Sequence, residues 1–143
     1  MPRTSVELLL LCAEEAARRF ETQLLEIGLD NPVRAVHSAD GVAAALDDST
    51  GRRTTALIVV DPEVEGGWEV IRWVKTSRYR RVPLLVICDG EECEDAYSHG
   101  ANAVMGRARW THQSDQAASA VGNFWMRVAR LPPMPEKQAT NAR

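Results

Sequence analysis

A chain of 143 residues is long enough for one compact core and short for two. Hydrophobic residues make up 45% and charged residues 26%, with a formal net charge of -3, the balance of an ordinary soluble globular protein. That balance gives no basis for nucleic acid or an anionic membrane as a partner.

The apolar run Leu8-Leu9-Leu10-Leu11-Cys12-Ala13 has the look of a signal-peptide core. Glu7 interrupts its front, Glu14 and Glu15 close its back, and Leu11 is bulky where a small residue precedes a lipidated cysteine. Residues 6–12 read instead as a buried first strand of a cytoplasmic protein. The three cysteines, Cys12, Cys88 and Cys93, have no CxxC spacing and no histidine at zinc-ligand distance, which predicts reduced thiols and no metal. His37, His99 and His112 lie on different elements and receive no role.

Residues 14–28 read as a helix, with Ala17, Phe20, Leu24 and Ile27 on one face and Gly28 as its stop. Residues 33–37 make a short strand, Ser38 caps a helix carrying Val42, Ala45 and Leu46, and residues 47–55 form a loop. The run Ala56-Leu57-Ile58-Val59-Val60 is a third strand ending at Asp61. A loop over 62–67 leads to a helix with Val70, Ile71 and Val74 facing inward, then to a basic, exposed stretch over 78–81.

Pro83 opens a fourth strand over 84–88, and Asp89-Gly90 turns the chain into a short acidic helix ending near Gly100. A weaker fifth strand covers 101–105. The last helix is predicted over 113–131, with Ala117, Val121, Phe124, Trp125 and Val128 at helical spacing. The proline-rich start of residues 132–143 predicts a disordered tail after a single domain at 1–131.

Strands and helices in strict alternation predict an α/β, flavodoxin-like (βα)5 doubly wound parallel sheet of order 2-1-3-4-5. Ligands on such sheets gather beyond the carboxyl ends of the strands, which makes Asp61 the leading site residue. The chain lacks a phosphate loop for flavin, a DxHxxG for cobalamin and a GxGxxG for a dinucleotide, so no cofactor and no enzymatic activity are assigned.

Several segments together resemble bacterial response-regulator receiver domains, and more narrowly the small stand-alone receivers that serve phytochrome-type histidine kinases. They are Leu8 through Leu11, Ala56 through Asp61, Gly67-Trp68-Glu69-Val70-Ile71, Arg80-Arg81-Val82-Pro83, Gly100-Ala101-Asn102-Ala103, and Asn123-Phe124-Trp125 continuing to Arg130-Leu131-Pro132. The resemblance covers about residues 5–132. It places Asp61 at the phosphoacceptor position and implies a Mg²⁺ site built from an acidic pair after the first strand.

That pair falls on Cys12 and Ala13, neither of which suits a hard cation. Recruiting Glu14 and Glu15 instead would shift Phe20, Leu24 and Leu25 off their core positions, so these two acids read as a solvated first helical turn. The family's switch threonine or serine falls on Cys88, a weaker donor. Its lysine falls on Arg107, positioned to pair with Asp61, and the proline after it is Ala108. Without proline a cis bond there would cost about 3 kcal/mol. The loop at 62–67 is also shorter than the family's.

Cys12 and Cys88 flank Asp61, but the intervening strand sets their Cα atoms about 9–10 Å apart, too far for a disulfide. They read as small buried hydrophobes. In the resembled family the last helix mediates homodimerisation, which makes Val121, Phe124, Trp125 and Val128 the expected interface, with packing on the chain's own core as the alternative.

Two functions stay open. One is a degenerate receiver, or pseudo-receiver, acting as a phosphorylation-independent interaction module for a histidine kinase, another signalling protein or a second copy of itself. The other is a phosphoacceptor that takes a phosphoryl group on Asp61 from a histidine kinase with Mg²⁺. Without an output domain in the sequence, either signal is expected to leave through a protein surface.

Overall fold

The computed structural model describes residues 5–29, 31–48 and 53–123. In chain order these form β1 (Ser5–Leu11), α1 (Glu14–Glu26), β2 (Val33–Val36), α2 (Ala39–Asp48), β3 (Arg53–Val60) and α3 (Gly67–Thr76). Then follow β4 (Leu84–Ile87), α4 (Glu91–Ser98), β5 (Ala103–Met105), α5 (Arg107–His112) and α6 (Ser114–Val121). The strands make one parallel sheet in the order β2-β1-β3-β4-β5, the topology expected from the alternation.

A parallel sheet covered on both faces needs strands that are apolar at every position. Leu9, Leu11, Ile58, Val60, Leu84 and Val86 face a core completed by α2, α3 and α4. The alternate residues Leu8, Leu10, Leu57, Val59, Leu85 and Ile87 face α1, α5 and α6. Each such side chain contributes roughly 1.5–3 kcal/mol on burial, so the four-leucine run belongs at the centre of the sheet. Among the described residues no helix is long and apolar enough to cross a membrane.

Local signals explain the joints. Ser38 Oγ accepts from the Gly41 amide at 3.3 Å and caps α2. Lys75 Nζ donates to the carbonyls of Arg80 and Val82 and to Asn102 Oδ1, tying together the turns that enter β4 and β5. Tyr79, expected within an exposed basic stretch, is buried, and its hydroxyl reaches Asp47.

The structure also adds a helix. The segment between the fifth strand and the last helix, given no element from sequence, forms α5, anchored by Trp110, whose ring centroid lies 5.1 Å from that of Phe20. Gln113 then breaks the helical path, with φ -129 and ψ 53, before α6 starts. Among the described residues no peptide bond is cis. Val121 packs in the core beside α1, 1% exposed, so its side chain is not part of a free surface. Phe124, Trp125 and Val128 and the tail at 132–143 lie outside the described residues.

The pairing register Leu11↔Val60, Val60↔Val86 and Ile87↔Met105 brings four strand ends to one edge. The Asp61 amide donates to the Leu11 carbonyl at 2.8 Å and the Cys88 amide to the Met105 carbonyl at 3.0 Å. Cys12, Asp61, Cys88 and Gly106 therefore begin the loops over that edge.

Candidate functional site

Asp61 is the first residue beyond β3, and its carboxylate is largely buried, 14% exposed. Oδ1 accepts from the Glu63 amide at 3.0 Å, a tight turn closed by the side chain on its own loop. The same oxygen accepts from Arg107 Nη1 at 3.0 Å. Arg107 is the first residue of α5, so the guanidinium reaches across the β4 end from the opposite side of the edge.

Arg107 is held at several further points. Nη2 donates to the Ile87 carbonyl at 3.2 Å, Nε lies 3.4 Å from Glu63 Oε2, and the backbone amide donates to Asp89 Oδ1 at 3.1 Å. Burial pulls the guanidinium pKa down, but the hydrogen bond and charge of Asp61, reinforced by Glu63 and Glu92, leave it above its ordinary value. The arginine is thus a permanent cation fixed by a planar fork in the place where Asp61 would meet an incoming group.

The strand-end positions Cys12, Ala13 and Cys88 carry no charge. Cys12 is fully buried, and its thiol is pushed up to about 12, first by burial and then by the Asp61 charge, with Arg19 acting the other way. His37 Nδ1 donates to the Cys12 carbonyl at 2.8 Å, tying the end of β2 to this loop. Ala13 precedes α1 and offers only a methyl group. Glu14 and Glu15 lie in the exposed first turn of α1, where they pair with Arg18 at 2.8 Å and Arg19 at 3.4 Å.

Cys88 is buried on the α2–α4 face, whereas Cys12 lies on the α1 face, so the sheet separates the two thiols. Burial first, and then its contact with Cys93, push the Cys88 thiol up to about 12 as well. Both cysteines stay protonated near neutral pH and are poor ligands for a hard cation. Asp61 shares Oδ1 with an arginine, and among the described residues no three His, Cys, Asp or Glu side chains converge as metal ligands. This donor set does not fit Mg²⁺, which needs several hard oxygen ligands in near-octahedral geometry.

Sequence reasoning brought Asp61, Cys12, Ala13, Cys88 and Arg107 to one edge, and the structure places them there. It missed Glu63, Asp89 and His37, which position Arg107, Asp61 and the Cys12 loop. Asp89 had one usable signal, since it stands just beyond β4 on the same edge. A separate cleft of about 610 Å³ beside β5, lined by Leu85, Met105, Arg109 and Val121, does not include the Asp61 pocket.

Comparison of the whole fold gives close structural counterparts. The structure superposes on the Mn²⁺-bound form of the response regulator Rcp1 with a TM-score of 0.73, at 20% identity, covering 90% of this chain and 99% of that one. It matches the phosphorylated cyanobacterial phytochrome response regulator RcpA with a TM-score of 0.74, at 21% identity, covering 90% and 99%. A response-regulator receiver domain from Rhodospirillum rubrum also gives 0.74, at 21% identity, covering 92% and 99%. The chain has the receiver fold. No protein-family model and no curated protein sequence matches it. Within the receiver fold, the Asp61–Arg107 pair occupies the edge where the strand ends converge.

Proposed function

We propose that this chain is a degenerate receiver, a protein-interaction module of bacterial signal transduction that works without an aspartyl-phosphate cycle. The observation that carries this reading is the 3.0 Å contact between Arg107 Nη1 and Asp61 Oδ1. Transfer of a phosphoryl group to a carboxylate brings negative charge toward negative charge, and a divalent ion normally neutralises both. Here a fixed guanidinium neutralises the carboxylate alone, while Cys12 and Ala13 supply no anionic ligand beside it.

Partners follow from the same reading. The module binds a histidine kinase or another signalling protein, and a second copy of itself through the last helix, with no catalytic residue of its own. The competing reading keeps Asp61 as phosphoacceptor, with Arg107 swinging from carboxylate to phosphoryl oxygens. The named neighbours include a Mn²⁺-bound and a phosphorylated protein, so that chemistry occurs on this fold.

Incubation with Mg²⁺ and acetyl phosphate, followed by intact mass measurement, separates the two. The expected spectrum is unchanged. A gain of one phosphoryl mass that disappears in Asp61→Asn establishes the phosphoacceptor instead.

A further inference from the structure

Cys93 lies in the first turn of α4, five residues after Cys88, and its sulfur stands 3.0 Å from Cys88 Sγ. That is inside ordinary sulfur–sulfur contact, although both thiols are free. Two turns bring them together: the Glu92 amide donates to the Asp89 carbonyl at 3.1 Å and the Cys93 amide to the Gly90 carbonyl at 3.0 Å. Gly90 takes φ +57 there, a conformation that glycine adopts without the strain a side chain would bring.

We propose that Cys88 and Cys93 form a reversible intramolecular disulfide under hydroperoxide, which clamps the first turn of α4 to the end of β4. The proposal stands whether or not the receiver reading does. Closing the bond needs the sulfurs to approach by about 1 Å, since a disulfide spans about 2.05 Å.

Exposure sets the order of events. Cys93 is half-buried and Cys88 fully buried, so the peroxide meets Cys93 first. The Cys93 sulfur attacks the terminal peroxide oxygen, the O–O bond breaks, and the departing alkoxide takes the Cys93 proton, leaving a sulfenic acid and an alcohol. The Cys88 sulfur then attacks the Cys93 sulfur, the S–O bond breaks, and hydroxide leaves with the Cys88 proton as water. Two thiols lose two electrons and the hydroperoxide gains them.

Cys88 suits the second role. Its burial shields it from the oxidant until its neighbour is activated, and the 3.0 Å contact then has its sulfur in place for the attack. Cys12 cannot replace Cys93, because it lies on the other face of the sheet.

The test uses the full chain treated with hydrogen peroxide, quenched in acid, denatured and alkylated. Reactive thiols should fall from three to one, with Cys12 the survivor. The tryptic peptide 82–107, which carries both other cysteines, should be lighter by two hydrogens, and dithiothreitol should restore it. In Cys93→Ser, Cys88 should remain alkylatable after the same treatment. Three surviving thiols, a bond to Cys12, a link between chains, or oxidation of Cys93 to sulfinic acid with Cys88 still free each overturns the proposal.

Discussion

Arg107 Nη1 meets Asp61 Oδ1 at 3.0 Å across 46 positions of chain, with the two side chains 20% and 14% exposed. A pair this sheltered couples more strongly than a surface pair, which contributes about 0–1 kcal/mol. Arg107→Ala is expected to destabilise the fold by about 1–3 kcal/mol, because it leaves the sheltered Asp61 carboxylate without its cation. A double-mutant cycle with Asp61→Ala, read by chemical denaturation, should return a coupling of about 1–2 kcal/mol. A coupling near zero would separate the residues energetically despite their contact.

Gly67 sets the shape of the loop that carries Asp61 and Glu63. A Cβ at this position would stand 2.6 Å from Pro62 Cα and 3.0 Å from the Asp61 carbonyl oxygen. Neither is the free end of a side chain, so the backbone itself must give. Gly67→Ala should lower stability by about 1–3 kcal/mol and shift the amide resonances of Glu63 and Arg107. Unchanged resonances would mean that the loop does not set the pocket.

The buried Cys12 thiol predicts alkaline sensitivity. Its ordinary value is 9.0 and the folded value about 12, so the fold favours the protonated form. The contribution is complete below pH 9 and drains as pH rises toward the folded value, because the unfolded chain releases its proton first. From pH 9 to 10.5 the unfolding free energy of the parent should fall faster than that of Cys12→Ala, by up to about 1.4 kcal/mol per pH unit. Parallel curves would contradict it.

The homodimer proposed for the last helix rests on Phe124, Trp125 and Val128, since Val121 is taken up by the chain's own core. Trp125→Glu should sediment as a monomer at concentrations where the parent is a dimer. Identical monomer masses for both would remove the interface.

The parts of the fold readable from sequence were those where one physical demand acts at every position. Leu8 through Leu11 and Ala56 through Val60 are apolar without interruption because both faces of their strands are covered. The helix α5 leaves no such trace, since its one buried anchor is Trp110 and a single apolar residue has no period. Tyr79 was hidden for a related reason, flanked by two exposed arginines while its own ring turns inward.

The site divides the same way. Asp61 and Arg107 were placed by resemblance and strand ends, and their pairing follows from opposite charges on one edge. Asp89 acts through its side chain on a backbone amide 18 positions away, and Glu63 through its own amide, interactions that residue spacing does not encode. The contact between Cys93 and Cys88 escaped notice because a turn and a helix start separate the two, a path with no common period.

In the proposed degenerate receiver, Arg107 holds Asp61 in place of a divalent cation. A titration with Mg²⁺ and beryllofluoride, followed by tryptophan fluorescence, reads this pairing, because Trp68 stands in α3 just beyond the Asp61 loop. No saturable change is expected. A response that saturates at millimolar ligand or below, and vanishes in Asp61→Ala, would contradict it.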